Sequence, residues 1–123
     1  MKILIPLLSK TENKQEFLAK ALEGAKEVIL LLVVDTKAMP GQFGFAATEI
    51  RQGNTLMEEI KKKTTEKKKK CTDVMEWGDT LSKILNATRL YKANKIVLKK
   101  QDNKFFEDLV KELEHESVQV EII

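Results

Sequence analysis

The run from Val28 to Val34 constrains the fold more than any other stretch of this sequence. It holds seven consecutive apolar residues, V-I-L-L-L-V-V, with no polar residue to mark a solvent-facing side. A membrane-spanning helix needs about 20 apolar residues, so this run is too short to cross a bilayer. A strand that is apolar on both faces is typical of a parallel sheet packed between helices. Similar runs at Ile3–Leu8 and Ile96–Leu98 indicate further strands of the same sheet.

Segments with helical periodicity separate these runs. This pattern predicts strands and helices in strict alternation, with a strand first and a strand last. The longest predicted helix is Thr48–Lys70, and the loop before it is Lys37–Ala47. Weaker apolar patterns predict a third strand at Cys71–Trp77 and a fifth at Val118–Ile123. This order is that of a single α/β domain over residues 1–123, with a parallel sheet, helices on both faces and right-handed crossovers.

The net charge of +3 arises from one part of the chain. Residues 61–70, K-K-K-T-T-E-K-K-K-K, hold seven lysines and one glutamate, so the rest of the chain has a net charge of −3. On a helix these lysines would cover most of the circumference, which indicates a solvated helix end. Weak association with nucleic acid is an alternative, because lysine runs are attracted to phosphates, and a protein partner is another. The run contains no arginine or aromatic residue for base recognition.

Motifs for catalysis or metal binding are missing from the sequence. Cys71 is the only cysteine, so no internal disulfide can form, and we find no secretory leader pattern. His115 is the only histidine, and no serine, cysteine or carboxylate stands at a recognised catalytic spacing from it. The patterns H-x-x-x-H and C-x-x-C do not occur. We therefore expect a cytoplasmic protein without a metal site and without enzymatic activity.

Four segments together resemble the universal stress protein family, and in order they extend over essentially the whole chain. They are K-I-L-I-P at residues 2–6, L-L-V-V-D at 31–35, E-W-G-D-T-L-S-K-I-L at 76–85 and A-N-K-I-V-L at 93–98. The resemblance implies an open parallel sheet of strand order 3-2-1-4-5, in the adenine nucleotide alpha hydrolase-like class. It also implies a stress-related or regulatory role and a homodimer paired through the last strand, here Val118–Ile123. A free apolar strand edge there would favour such pairing.

Nucleotide-binding members of that family carry a phosphate loop of the form G-x2-G-x9-G-[ST] after the fourth strand and an acidic residue at the end of the first. In this sequence the first two glycine positions fall on Lys99 and Asp102, the acidic position falls on Leu8, and no glycine follows Gly78. A phosphate cradle needs closely approaching backbone N–H groups, which glycine allows. Asp102 or Asn103 is instead placed to cap the last helix. We therefore expect no ATP binding through the usual phosphate loop.

Four residues at strand ends are candidates for a rebuilt nucleotide or anion pocket: Ser9, Asp35, Gly78 and Lys99. Each has a structural alternative as a turn residue, a cap or a solvated charge, and Ser9 with Glu12 fits a capping box for the first helix. The favoured function is a non-enzymatic homodimer without a cofactor. The alternative is a protein that binds ATP or AMP in the rebuilt pocket, with weak ATPase activity left open.

Overall fold

The strands and helices alternate along the whole chain, as the apolar runs predict. The computed structural model describes residues 1–35 and 43–123, with side chains described for residues 1–35 and 47–123. The strands are β1 (Lys2–Pro6), β2 (Glu27–Val34), β3 (Lys70–Trp77), β4 (Lys95–Leu98) and β5 (Val120–Ile122). The helices are α1 (Gln15–Ala21), α2 (Phe43–Glu66), α3 (Thr80–Leu90) and α4 (Lys104–His115).

The sheet has the order β3-β2-β1-β4-β5, and all of its strand pairs are parallel. This order confirms the sequence prediction. Side chains of successive residues point to opposite faces, so Ile3 and Ile5 pack with α1 and α2 while Leu4 packs with α3 and α4. Both faces of β1 and β2 are therefore buried, which explains why these strands consist almost entirely of apolar residues.

The second helix differs from its predicted bounds at both ends. The sequence predicts a loop over Lys37–Ala47 and a helix over Thr48–Lys70, whereas α2 spans Phe43–Glu66. The predicted loop is therefore wrong from residue 43 onward, and its residues 37–42 lie outside the described residues. The helix ends before Lys70 because that residue already belongs to β3, where it pairs with the start of β2.

The last strand is shorter than predicted. The sequence predicts strand over Val118–Ile123, but β5 covers only Val120–Ile122. At Ser117 the chain is still turning out of α4, with a φ of 60°. The ladder with β4 therefore begins only where Val120 comes opposite Ile96.

Helices α2 and α3 end in the same backbone motif, with lysine where glycine is usual. Lys68 has a φ of 61° and Lys92 a φ of 55°. The N–H of Lys69 donates to the Thr64 carbonyl at 3.2 Å, and the residue after Lys92 donates to the Thr88 carbonyl at 3.0 Å. These bonds define Schellman motifs, whose left-handed residue is most often glycine. A side chain in that conformation costs about 1 kcal/mol, which is partly offset by a positive charge at the negative end of the helix dipole.

Gly53 allows α2 to lie close to β2. A Cβ atom on Gly53 would lie 2.3 Å from Cδ2 of Leu32, a buried residue in the middle of β2. Glycine in a helix interior costs about 1 kcal/mol relative to alanine. The short distance between this helix and the sheet accounts for a glycine at a position that helix propensity alone disfavours.

Candidate functional site

The four candidate residues follow the carboxyl ends of four neighbouring strands. Ser9 follows β1, Asp35 follows β2, Gly78 follows β3 and Lys99 follows β4. We call the turns at this end of the strands, residues 7–14, 35, 78–79 and 99–103, the carboxyl edge. The term is distinct from the lateral edges of the sheet, which are formed by β3 and β5. Ligands of open α/β sheets usually bind at such an edge. The contacts of each residue decide what the edge can do chemically.

Asp35 joins the end of β2 to the start of α3. Its Oδ2 accepts hydrogen bonds from the backbone N–H of Thr80 at 3.0 Å and from the Thr80 hydroxyl at 2.9 Å. Thr80 is buried, so this carboxylate satisfies two donors that water reaches poorly. The neighbouring Asp79 caps the same helix by accepting from the N–H of Ser82 at 3.0 Å. This part of the carboxyl edge is therefore built as a helix start.

Gly78 is required by the backbone of the turn that enters α3. Its φ is 141°, a conformation that residues with a side chain rarely adopt. Its N–H donates to the carbonyl of Val34 at 3.0 Å, which extends the pairing of β3 with β2 by one residue. This N–H is therefore already bonded within the protein.

Ser9 bonds to Glu12, but the pair does not cap a helix. The N–H and the hydroxyl of Ser9 both donate to Oε2 of Glu12, at 2.9 and 2.6 Å. The predicted capping box is wrong, because α1 begins only at Gln15 and its N-cap, Lys14, makes no side-chain cap. The pair instead closes a turn after β1. Glu12 is fully buried, and its Oε1 has no hydrogen-bond partner among the described residues.

The turn from β4 to α4 uses its polar groups within the protein. The N–H of Lys100 donates to the Ile123 carbonyl at 2.9 Å, so the end of the chain pairs alongside this turn. Asn103 caps α4, since its Oδ1 accepts from the N–H of Phe106 at 2.8 Å, and its Nδ2 donates to Gln101 at 3.1 Å. The sequence predicts Asp102 or Asn103 as the cap, and the structure has Asn103. The pairing of Lys100 with Ile123 has no signal in the sequence.

Lys99 lies beside a cleft that none of the other three candidates is described as lining. The cleft, of about 870 Å³, lies between α1 and the ends of β4 and β5. Phe17 and Ile123 supply apolar surface, and Lys14, Lys20 and Lys99 supply positive charge, which Glu16 offsets in part. Such a cleft could attract an anion, but the candidates do not converge on it as one pocket.

The lysine run predicted as a helix end is only partly solvated. Nζ of Lys61 donates to Asp73 on β3 at 2.9 Å, and this hydrogen bond holds the pKa of the Asp73 carboxyl below its ordinary value of 3.8. Lys63 donates to the Asn13 carbonyl at 3.0 Å. Lys69 donates to the Ala25 carbonyl. These contacts attach α2 and the turn after it to the rest of the domain.

Cys71 lies next to this run but is not activated by it. Burial raises the pKa of the Cys71 thiol to about 11, and the nearby Lys61 opposes that shift less strongly. A thiol with a raised pKa is a weak nucleophile. Cys71 is therefore a partly buried, unreactive cysteine of β3.

The described residues, 1–35 and 43–123, contain neither a cluster of metal-ligating side chains nor a helix that could span a membrane. No group of three or more histidine, cysteine, aspartate or glutamate side chains there could hold a metal ion. No helix within that part of the chain is long and apolar enough to cross a membrane.

Solved structures share this fold. A protein of the universal stress protein family from Burkholderia pseudomallei has a TM-score of 0.73 and 17% sequence identity, covering 99% of this chain and 94% of that one. The hypothetical protein MJ0577, whose structure was used to assign a biochemical function, has a TM-score of 0.66 and 22% identity, with coverage of 99% and 94%. The hypothetical protein PH0823 has a TM-score of 0.71 and 19% identity, again with coverage of 99% and 94%. No protein-family model and no curated protein matches the sequence.

At these identities the similarity concerns the fold. The resemblance to the universal stress protein family that the sequence indicates is confirmed at that level, across essentially the whole chain. The predicted fold class, an open parallel sheet of order 3-2-1-4-5 between helices, is confirmed with it.

Proposed function

We propose that this protein is a cytoplasmic, non-enzymatic homodimer of the universal stress protein type, with a stress-related or regulatory role and without ATP binding through a phosphate loop. The observation that carries the proposal is the turn from β4 to α4. The chain has the fold of a solved universal stress protein structure, but the backbone groups of this turn are already bonded within the protein. The role in stress is an expectation from the family of that structural neighbour.

Phosphate binding at a strand-to-helix turn depends on free N–H groups at the helix start. In α4 the N–H of Phe106 is bonded to the side chain of Asn103, and the N–H of Lys100 is bonded to Ile123. No glycine stands in residues 99–103 to bring the backbone close to a phosphate. Lys99 and Lys100 add charge, but lysine side chains are mobile and do not replace a backbone cradle.

Calorimetric titration with ATP and magnesium tests this part of the proposal. We expect no saturable binding in the low-micromolar range. Tight binding would instead favour the alternative, a nucleotide pocket around Ser9, Asp35, Gly78 and Lys99. In that case the substitution Lys99→Gln should weaken it, whereas Lys111→Gln on the exposed face of α4 should not. If Lys99→Gln left tight binding unchanged, the nucleotide would occupy another site.

The dimer part of the proposal rests on the free edge of β5. The N–H of Ile123 bonds to Leu98 and the carbonyl of Gln119 accepts from Ile96, so the alternate residues 120 and 122 direct their backbone groups outward. Ile122 is 43% exposed at this edge, and Phe105 on α4 is 51% exposed. An apolar strand edge with free hydrogen-bonding groups favours pairing with a second copy.

Light scattering during size-exclusion chromatography tests the dimer. Ile122→Lys should give a monomer, since lysine on an edge strand opposes strand pairing. Met75→Lys is the matched control, because Met75 is 41% exposed on β3, the opposite edge of the sheet. A wild-type monomer at tens of micromolar would refute the dimer. A monomer from Met75→Lys alone would place the interface at β3.

A further inference from the structure

The side of the sheet opposite the candidate site is strongly basic. We call the turns that precede β1 to β4, each with the first residue of its strand, the amino edge: residues 1–2, 22–27, 67–70 and 91–95. They contain eight lysines, no arginine and two glutamates. The turn before β5, residues 116–119, has one glutamate and no lysine. Positive charge is therefore concentrated around four neighbouring strand starts.

Three of the eight lysines at the amino edge have partners in the protein. Lys2 forms an ion pair with Glu27 at 3.7 Å, Lys69 donates to a backbone carbonyl, and Lys95 pairs with Glu121. The other five are exposed, and none of them forms an ion pair with another described residue. These five are Lys26, Lys67, Lys68, Lys70 and Lys92.

The fold divides the lysine run that the sequence suggests as a nucleic-acid contact. Its first part, residues 61–63, lies on the last turns of α2, where Lys61 and Lys63 already bond to the protein. Its second part, residues 67–70, lies at the amino edge. Lys26 and Lys92, which are distant in sequence, join it there. Most of the exposed, unpaired lysines of this run therefore belong to an edge assembled from separate turns, while Lys62 remains exposed on α2.

The size of this edge suits a row of phosphates. Neighbouring strands lie about 4.8 Å apart, so the starts of β3, β2, β1 and β4 span about 15 Å. Each strand of a duplex carries one phosphate per about 3.4 Å of helix axis. About 15 Å of duplex axis therefore carries four or five phosphates on each strand, about as many as the exposed lysines of the amino edge.

We propose that the amino edge binds the phosphate backbone of duplex nucleic acid without regard to sequence. Lysines supply charge for such contacts, whereas base recognition uses arginine or amide pairs or stacked aromatic rings. The turns contain no arginine, and Tyr91, their aromatic residue, packs against the core. Their one amide side chain, Asn94, accepts a hydrogen bond from the N–H of Lys2 at 2.7 Å.

An anionic bilayer is a less suitable partner for this edge. Peripheral membrane proteins combine basic residues with a continuous apolar face that inserts between lipids. The exposed large apolar side chain of the amino edge is Met1, and Leu90, at the end of α3, lies next to the edge in sequence. Two side chains are too few to form a continuous apolar face of this kind.

Fluorescence anisotropy with two labelled DNA duplexes of about 20 base pairs and unrelated sequence tests the proposal. Five phosphate contacts correspond to a slope of about −4.5 in log K against log salt, or about a 500-fold loss of affinity between 50 and 200 mM salt. We expect equal affinity for the two duplexes. No binding at 50 mM salt, or a clear preference for one sequence, would overturn the proposal.

Two variants with equal loss of charge locate the surface. The first replaces the five exposed lysines of the amino edge by glutamine, and we expect it to lose the salt-dependent binding. The control replaces five exposed lysines elsewhere by glutamine and should keep the wild-type slope; these are Lys14, Lys20, Lys100, Lys104 and Lys111. Equal weakening in both variants would show a net-charge effect and contradict the proposal.

Further measurements distinguish binding to the phosphate backbone from a loss of folding and from binding to lipid. Replacing the same five lysines by arginine keeps the charge and should keep the binding. If the glutamine variant fails to fold by circular dichroism, the smaller variant Lys26→Gln, Lys67→Gln, Lys70→Gln leaves both Schellman motifs intact and should reduce the slope by about 3. Tighter binding to phosphatidylserine vesicles than to DNA would assign the edge to membranes instead.

Discussion

The carboxyl edge and the amino edge of this sheet differ in charge and in how their polar groups are used. The described turns of the carboxyl edge contain four lysines and four acidic residues, whereas the amino edge contains eight lysines and two acidic residues. At the carboxyl edge Asp35, Ser9 and Asn103 bond within the protein. At the amino edge most lysines are exposed.

This difference shows that fold and charge indicate different surfaces of the same molecule. Parallel topology points to the carboxyl edge, because the ligands of open sheets usually bind there. In this chain that edge satisfies the starts of α3 and α4, and its charges balance. The charge that could attract a partner is at the opposite edge. Substitutions that remove caps from one edge and lysines from the other can test the comparison.

The largest effect is expected for Asp35→Ala. Loss of the carboxylate leaves the N–H and hydroxyl of buried Thr80 without this acceptor, so the free energy of unfolding should fall by about 2–3 kcal/mol in urea denaturation. Thr80→Val, alone and combined with Asp35→Ala, completes a double-mutant cycle. A coupling free energy near zero between the two substitutions would contradict a structural role for Asp35. Asp79→Ala, which removes only a cap, should cost about 1 kcal/mol.

The double variant Lys68→Gly, Lys92→Gly should stabilise the protein by about 1–2 kcal/mol, because glycine adopts a positive φ without strain. The same variant should weaken duplex binding, so that stability and charge change in opposite directions at the amino edge. The control is Lys10→Gly at the carboxyl edge. Lys10 also has a positive φ, of 63°, but its Nζ donates to the Leu7 carbonyl at 2.8 Å, so glycine should stabilise less there. If Lys10→Gly raised the free energy of unfolding by as much as half of the gain from the double variant, the hydrogen bond of Lys10 would not account for a difference between the sites.

Removal of the α4 cap by Asn103→Ala should lower the free energy of unfolding by about 1 kcal/mol. Asn103→Asp, which keeps an acceptor, should restore most of it. Calorimetry on Asn103→Ala should still detect no tight ATP binding, because the turn has no glycine and Lys100 remains paired with the chain end. Tight binding on removal of the cap would mean that Asn103 alone blocks a phosphate site.

The smallest effect is expected for Asp73→Asn, which removes the partner of Lys61. Since the folded-state pKa of Asp73 is lowered, its contribution to stability is present above the ordinary pKa of 3.8 and is lost as the pH falls through the folded value. Both side chains are more than 40% exposed. The melting temperatures of the variant and the wild type should therefore differ by about one degree or less at pH 7 and coincide near pH 2. A difference that persists in acid would implicate a different interaction.

The sequence predicts the sheet well because burial on both faces of β1 and β2 requires unbroken apolar runs. It also limits the cap of α4 to Asp102 or Asn103, because capping depends on local spacing, and the structure has Asn103. It does not predict the end of α2, since the lysine run contains no glycine or proline and the turn instead uses Lys68 with a positive φ.

The contacts of the candidate site depend on residues distant in sequence. Asp35 and Thr80 are 45 positions apart, and their hydrogen bonds follow from the arrangement of β2 beside α3. The amino edge is equally difficult to predict from the sequence, because Lys26 and Lys92 lie near residues 67–70 only as a result of the strand order. The run at residues 61–70 was the available signal, and it indicated only part of that surface.

The close approach of α2 to β2 has a consequence for how related sequences can vary. A Cβ at position 53 and the present side chain at position 32 cannot occupy the same space. Among relatives that keep this helix-to-sheet distance, a large residue at position 32 should therefore accompany glycine at position 53, while alanine or serine at 53 should accompany a smaller residue at 32. The two positions, 21 apart in the chain, should change together as an evolutionary pair.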